Sequence, residues 1–268
     1  MKILATGIRG TIGKHLSNKV IPIDIDLSSA LEEFLKIEFN AVRCVVHLAG
    51  VVGPSLVEKD LGWSHQINVE GTKKLALAAL EGGVQRFVYV STSHVYKPSS
   101  RVLTEESEIG PLNAYAEQKY EAEQAVREIF ENNPSKFCIV RIFSVLDWNV
   151  RDFTLGGGIK RLAFADPNFE LRNSDDVRDF LTPKRIAWVL LKIANEPRLT
   201  GTVNLCTGRG LTVRQAAIQM LTESGFNINL DRIHSGNSLI PFMVGDNLKL
   251  LSHIPNLGIE WSPSRFEW

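Results

Sequence analysis

The chain is 268 residues long, 44% of them hydrophobic, with 30 basic side chains matched by 30 acidic ones. That length fills one good core with a small appended lobe, and the charge balance argues against a surface built for nucleic acid or an anionic membrane, leaving small molecules as the expected partners. No apolar stretch reaches membrane-spanning length and no signal-peptide pattern precedes the first strand, so a cytoplasmic protein is expected, with Cys44, Cys138 and Cys206 as buried thiols rather than disulfides or metal ligands.

In chain order, Lys2-Ile3-Leu4-Ala5-Thr6 reads as a short strand, followed at once by Gly7-Ile8-Arg9-Gly10-Thr11-Ile12-Gly13 and a helical pattern through Lys19. Glycines at Gly7, Gly10 and Gly13 suit a tight turn, a close backbone approach to a pyrophosphate and a helix packed close on a sheet. Apolar runs at Val20 to Ile25, Cys44 to Leu48, Phe87 to Ser91 and Phe137 to Ile142 then alternate with helical patterns. Runs apolar on both faces predict an α/β fold, a doubly wound parallel sheet covered by helices on both sides. Ligands of such sheets lie beyond the carboxyl ends of the strands, where Gly7, Ala49, Thr92 and Phe143 fall.

Thr92-Ser93-His94-Val95-Tyr96 closes one of these runs, and Tyr115-Ala116-Glu117-Gln118-Lys119 lies on a following helix. A tyrosine and a lysine four residues apart share one helix face. The ammonium favours phenolate, so the tyrosine pKa is expected to fall toward neutrality, making the phenol a proton acceptor and donor for carbinol–carbonyl interconversion. Further on, Gly156-Gly157-Gly158, between Arg151 and Asn173, reads as a loop, either a mobile piece over the site or a plain linker. Thr212 to Gly225 reads as a helix with Thr212 near its cap.

Together, in this order, the glycine loop and the Tyr-x-x-x-Lys helix resemble the extended branch of the short-chain dehydrogenase/reductase superfamily, the NAD-dependent epimerase/dehydratase type. The resemblance runs from Met1 to about Gly208. It implies a Rossmann domain over residues 1–145 with 176–208, and a small substrate lobe over 146–175 with 209–268. Val45 to Gly50 looks like the family's fourth strand, with Leu48, Ala49 and Gly50 facing the cofactor beside Gly7, Arg9, Gly10, Thr11, Ile12 and Gly13. Asn68-Val69-Glu70-Gly71-Thr72 matches a helix opening at which the asparagine supports an irregularity; a plain N-cap is the alternative. Val203 to Gly208 resembles a late strand, while Asp246 to Lys249 and Leu257 to Pro263 echo closing signatures. With the chain stopping at Trp268, the lobe is expected to be small.

The resemblance also implies roles. Thr92 would orient the substrate oxygen, Tyr115 would shuttle its proton, and Lys119 would bind the nicotinamide ribose and tune the tyrosine. Asp24 would hold the adenosine ribose hydroxyls and favour NAD, unless Asp26 instead contacts the adenine. Arg9 resembles the arginine of NADP-using relatives that meets the 2′-phosphate, or else lies along the adenine. His94 would face a sugar ring as donor or second acid/base, or fill space. Arg178, in Arg178-Asp179-Phe180-Leu181, would pair with a nucleotide diphosphate, or else with Asp175 or Asp176. Ser144 stands where the family places a substrate-facing asparagine. The helices after Gln66 and after Asn113 carry Leu, Ala and Tyr on one side, as a homodimer face or as core. The expected function is an NAD(P)-dependent epimerase or 4-keto-sugar reductase acting on a nucleotide sugar. The alternatives are reduction of a non-sugar carbonyl and a non-catalytic NAD(P)-binding regulator.

Overall fold

The computed structural model of the chain describes residues 2–16, 18–148, 154–164, 166, 169–226, 230–236, 238–255 and 257. Strands β1 (Lys2–Thr6), β2 (Ile21–Pro22), β3 (Val42–His47), β4 (Arg86–Thr92) and β5 (Phe137–Ile142) run in chain order. After them come β6 (Ser144–Val145), β7 (Val177–Arg178), β8 (Phe180–Leu181), β9 (Gly201–Leu205), β10 (Leu211–Thr212) and β11 (Phe242–Met243). Interleaved are helices α1 (Leu31–Leu35), α2 (Pro54–Val57), α3 (Leu61–His65), α4 (Gly71–Glu81) and α5 (Ala114–Ile129). Helices α6 (Leu155–Ala163), α7 (Pro183–Asn195), α8 (Val213–Glu223) and α9 (Leu248–His253) complete them.

The main sheet has the order β2-β1-β3-β4-β5-β9, every neighbour parallel. Successive strand residues point to opposite faces, and here both faces meet apolar cover. Ala5, Val46, Val88 and Val140 pack against Ile186, Val189, Leu190 and Ile193 of α7. Their neighbours Leu4, Val45, Phe87 and Ile139 pack against Phe34, Leu75, Ala79, Ala122 and Val126 of α1, α4 and α5. This is why the strands read as continuous apolar runs. Cys44, Cys138 and Cys206 are buried free thiols. Among the described residues no helix is long and apolar enough to cross a membrane.

Three local expectations need correction. The helix expected from Gly13 through Lys19 is a single 3-10 turn, Gly13–His15, because the chain must be back in the sheet at Ile21. Leu16 and Val20 drop into the cluster under α7, which covers that face instead. The second strand shrinks from 20–25 to Ile21–Pro22, although Ile23 N still donates to Ala5 O at 2.7 Å. The strand holding Val45 and Val46, likened above to the family's fourth, comes third in this chain and pairs with β1 on the side opposite β2. The triple glycine is no loop: Gly156, Gly157 and Gly158 are buried in α6, whose N-cap Thr154 accepts from Gly157 N. A Cβ on Gly158 would sit 2.7 Å from the Phe169 ring, so glycine permits close packing there.

Around α6 and α8, a second cluster gathers Trp148, Ile159, Phe180, Met220 and Leu221. Two small sheets flank it, β10-β7-β11 and β6-β8. Thr212 caps α8 in a full capping box with Gln215. Asp179 ties this region to the end of β9, accepting from Thr207 N and Oγ1 at 2.7 Å and from Gly208 N at 2.9 Å. Burial lifts its carboxyl to about 6 against those bonds. Of the closing signatures, Asp246 to Lys249 opens α9, with Asp246 accepting from Leu248 N, and 258–263 lie outside the described residues.

Candidate active site

Beyond the carboxyl ends of β1, β3, β4 and β5 lies a cavity of about 480 Å³, within the range of small-ligand and cofactor sites. Its floor is the loop carrying Gly7, Arg9, Gly10, Thr11, Ile12 and Gly13, faced by Leu48, Ala49 and Gly50. Gly7 adopts φ +69, and a Cβ there would stand 2.7 Å from Ala49 N. Gly13 is tighter still, since its Cβ would meet Gly7 O and come within 2.6 Å of Ile8 Cα. Only backbone fits at this concave turn, as a dinucleotide pyrophosphate requires. The loop therefore fits the cofactor that the sequence implies.

The opposite wall carries Thr92, Tyr115 and Lys119. Asn113 starts α5 by accepting from Ala116 N at 3.0 Å, which puts Tyr115 and Lys119 on the face turned toward β4. The Thr92 hydroxyl, at the end of β4, lies beside the phenol of Tyr115, close enough to act on its pKa, and accepts from His94 N at 3.3 Å. Lys119 donates to Val90 O at 2.7 Å and lies 4.2 Å above the Tyr89 ring. A hydroxyl, a phenol and an amine gathered at one cavity wall can orient an oxygen and move a proton to or from it.

The electrostatics correct one expectation. Burial raises Tyr115 to about 12, with the neighbouring Thr92 hydroxyl pulling the other way, so the phenol is not tuned toward neutrality. Burial likewise lowers Lys119 to about 7, opposed by Glu123. The cause is geometric: the amine is committed to Val90 O and the Tyr89 ring, not to the phenol. As it stands, the tyrosine is a proton donor in the neutral range.

Below the wall lies a polar layer that motif reading missed. Thr6 Oγ1 accepts from Ala49 N at 3.1 Å and so gives its own proton to His47 Nδ1 at 2.6 Å. His47 Nε2 then faces Thr72 Oγ1 at 3.0 Å, and Thr72 donates to Asn68 O at 2.7 Å. Burial holds His47 down to about 3, with Lys119 adding to the shift, so the ring is a neutral relay of fixed tautomer. Asn68 sits in a π-helical turn, Gln66–Glu70, the irregularity the motif implied. Its amide spans Val51 N and O at 2.7 and 3.1 Å and reaches Gln118 at 2.9 Å, beside Lys119. Glu123 and Arg141 form a second buried set. The four-residue step from Lys119 to Glu123 was the available signal for it.

Other candidates lie off this wall. Asp24 does not line the cavity; it pairs with Arg9 at 3.2 Å, both side chains 85% exposed. Asp26 is engaged in its own turn, accepting from Ser28 N at 2.9 Å and Ser28 Oγ at 2.7 Å. Arg178 is held by Asp176 at 2.8 Å, one of the partners named above as alternatives to phosphate. His94 lies close enough to Arg178 to feel its charge, which adds to burial in keeping the imidazole neutral. Ser144 lies in β6, paired with Phe180 of β8, while its neighbours Phe143 and Val145 line the cavity. On α4 and α5 the Leu and Ala residues Leu75, Ala76, Ala79, Ala122 and Ala125 are buried within the chain.

Comparison with known proteins agrees with this architecture. The model of the NAD dependent epimerase/dehydratase family matches residues 14–206. GDP-6-deoxy-D-talose 4-dehydrogenase of Aggregatibacter actinomycetemcomitans is 26% identical over 277 residues, spanning 96% of this chain and 92% of that protein. RMD from Pseudomonas aeruginosa, solved with NADPH, superposes with a TM-score of 0.85 at 20% identity over 99% of this chain and 96% of the other. A dTDP-4-dehydrorhamnose reductase from Clostridium acetobutylicum gives 0.81 at 25% identity over 98% and 96%. A glycine loop, a hydroxyl–phenol–amine wall and a family match across most of the sequence lead to one conclusion: this chain belongs to the NAD dependent epimerase/dehydratase family.

Proposed function

We propose that the protein is an NAD(P)-dependent oxidoreductase of a nucleotide-linked sugar, working by net reduction of a 4-keto sugar or its reverse. The observation that carries the reading is the meeting of Thr92, Tyr115 and Lys119 on one wall of the cavity floored by the glycine loop. The relative named above is a 4-dehydrogenase and the 25% identical structure is a 4-dehydrorhamnose reductase, which favours net oxidoreduction over epimerisation.

The loop from Gly7 to Gly13 would hold the dinucleotide by its backbone N–H groups, with Lys119 near its ribose. Once bound, that cofactor supplies or accepts the hydride. Thr92 fixes the substrate oxygen by hydrogen bonding. Tyr115 delivers the proton to it, and its raised pKa suits the reductive direction at neutral pH. The reverse reaction needs phenolate and should accelerate as pH rises. His94 and Arg178 are assigned to the substrate side, with neutral His94 as a hydrogen-bonding group rather than a second acid.

Nucleotide sugars and their 4-keto forms, titrated into cofactor-loaded protein while the absorbance of reduced nicotinamide is followed, test the reading. Stoichiometric consumption supports it. Cofactor binding with no redox response to any sugar would favour the non-catalytic regulator, and isomer formation without net change would favour epimerisation.

Cofactor choice turns on the Arg9–Asp24 pair. A carboxylate there repels a 2′-phosphate and suits ribose hydroxyls, whereas the guanidinium attracts the phosphate. Asp24→Ala is expected to move the NADP/NAD affinity ratio up about tenfold and Arg9→Ala to move it down by a similar factor, the weight of one charge-assisted hydrogen bond. Calorimetric titration with both cofactors reads the two shifts.

A further inference from the structure

Glu123 is fully buried on α5, one turn beyond Lys119 on the same face. Arg141 of β5 grips its carboxylate at both oxygens, Nε to Oε1 at 3.0 Å and a terminal nitrogen to Oε2 at 2.6 Å. Ser91 donates its hydroxyl to Oε1 at 2.5 Å. Two consecutive residues at the end of β4 are thus stitched to α5, Val90 to Lys119 and Ser91 to Glu123, and Thr92, next along the strand, lies beside Tyr115. The Ser91 stitch adjoins the residue that carries the wall's hydroxyl.

A buried ion pair is weak evidence for stability, because desolvation offsets most of its Coulomb attraction. Its place one turn from a buried amine needs another explanation. The titratable and charged groups around Lys119 come from several elements. Tyr115 and Glu123 share its helix, the Tyr89 ring lies beneath it on β4, and His47 faces it from β3. Arg141, stacked 4.6 Å over Tyr96, and Arg127, 3.9 Å from Glu123, stand behind the carboxylate. Among these described groups Glu123 is the only carboxylate.

We propose that Glu123 is the positioning residue of this site: through Ser91 it sets the strand end that carries Thr92, and its buried carboxylate, one turn from Lys119, favours the charged form of that amine. The role rests on the reading of Thr92, Tyr115 and Lys119 as the proton-handling set. Arg141 is the counterweight that allows a carboxylate to remain ionised at this depth without cancelling its field at Lys119. Burial draws Lys119 down and Glu123 acts against it, leaving the amine at about 7. Near neutrality the amine is therefore poised, and a change of one nearby charge alters its state.

The test is the pH dependence of Lys119 acylation in the full-length folded protein, which needs neither cofactor nor sugar. Glu123→Gln keeps the shape and removes the charge; the labelling midpoint is expected to fall by about one pH unit. Arg141→Gln leaves the buried carboxylate without its partner, so Glu123 takes up a proton and the midpoint is expected to fall as well. A purely structural pair would leave the midpoint where it is. Should either single variant be recovered unfolded, the neutral pair Glu123→Gln with Arg141→Gln leaves no charge buried alone and carries the same expected fall. Midpoints equal to wild type in the folded variants would overturn the proposal. Where the enzyme turns over, the alkaline limb of single-turnover hydride transfer should move with the Glu123→Gln midpoint. If the midpoints shift and no sugar is ever reduced, the functional reading fails and the charge-setting role stands.

Discussion

Tyr115→Phe is expected to lower kcat/KM for 4-keto-sugar reduction about a thousandfold, the middle of the range for a positioned acid–base group, while leaving cofactor affinity within about twofold of wild type. The substitution removes one oxygen from a residue that touches the cavity with its ring and phenol and is otherwise held by α5. Thr92 keeps its bond from His94 N. The phenol is held near 12 by burial, so Tyr115 itself should add no inflection to the reductive pH profile through neutrality. In the variant the residual rate depends on water as donor. Stopped-flow measurement of reduced nicotinamide at saturating sugar, with a separate cofactor titration, separates chemistry from binding. An undiminished hydride step in a folded Tyr115→Phe protein would remove the tyrosine from the mechanism.

Gly13→Ala is the second large effect, and it acts on binding. The added methyl has no room: Gly7 O, Ile8 Cα and, at 2.8 Å, Gly7 C are all backbone atoms of the same loop and cannot rotate aside. The loop must open, and the N–H groups that would face a pyrophosphate turn away. Loss of one or two charge-assisted hydrogen bonds corresponds to a cofactor affinity about a hundredfold weaker. Gly10→Ala is the internal control. Its Cβ would stand 3.2 Å from Gly7 O, a contact that a small shift relieves, so its loss should be much smaller. Calorimetry on the two variants, with thermal unfolding to confirm the fold, checks the order. Equal affinities in both would mean that the loop does not carry the phosphates.

Much of the site was legible because its signals are local. Tyr115 and Lys119 share a face by helix geometry alone, and Gly7, Gly10 and Gly13 mark a turn that excludes side chains. The Thr212 cap and the buried cysteines were legible for the same reason, while the Asn68 irregularity was implied only by the family resemblance. Illegible were the features set by partners distant in the chain. Glu123 finds Ser91 and Arg141, 32 and 18 residues away. His47 joins Thr6 and Thr72, 41 and 25 residues away. The three glycines of α6 resembled a loop because their composition favours one, and burial against Phe169 with a Thr154 cap overrode it.

The sequence by itself determined the sheet and its cover, since strands apolar on both faces can be satisfied only between two helical layers. It also placed a hydroxyl, a phenol and an amine near the carboxyl ends of the strands, where the cavity lies. Only the tertiary structure decided the state of those groups. Whether Tyr115 is tuned or raised, whether Lys119 faces a phenol or a carbonyl, and whether Arg178 awaits a phosphate or holds Asp176 depend on burial and on charges brought together by folding. Spacing along a chain fixes direction on a helix or strand, but protonation and pairing follow from the local dielectric and the nearest opposite charge, which exist only once the chain has closed around them.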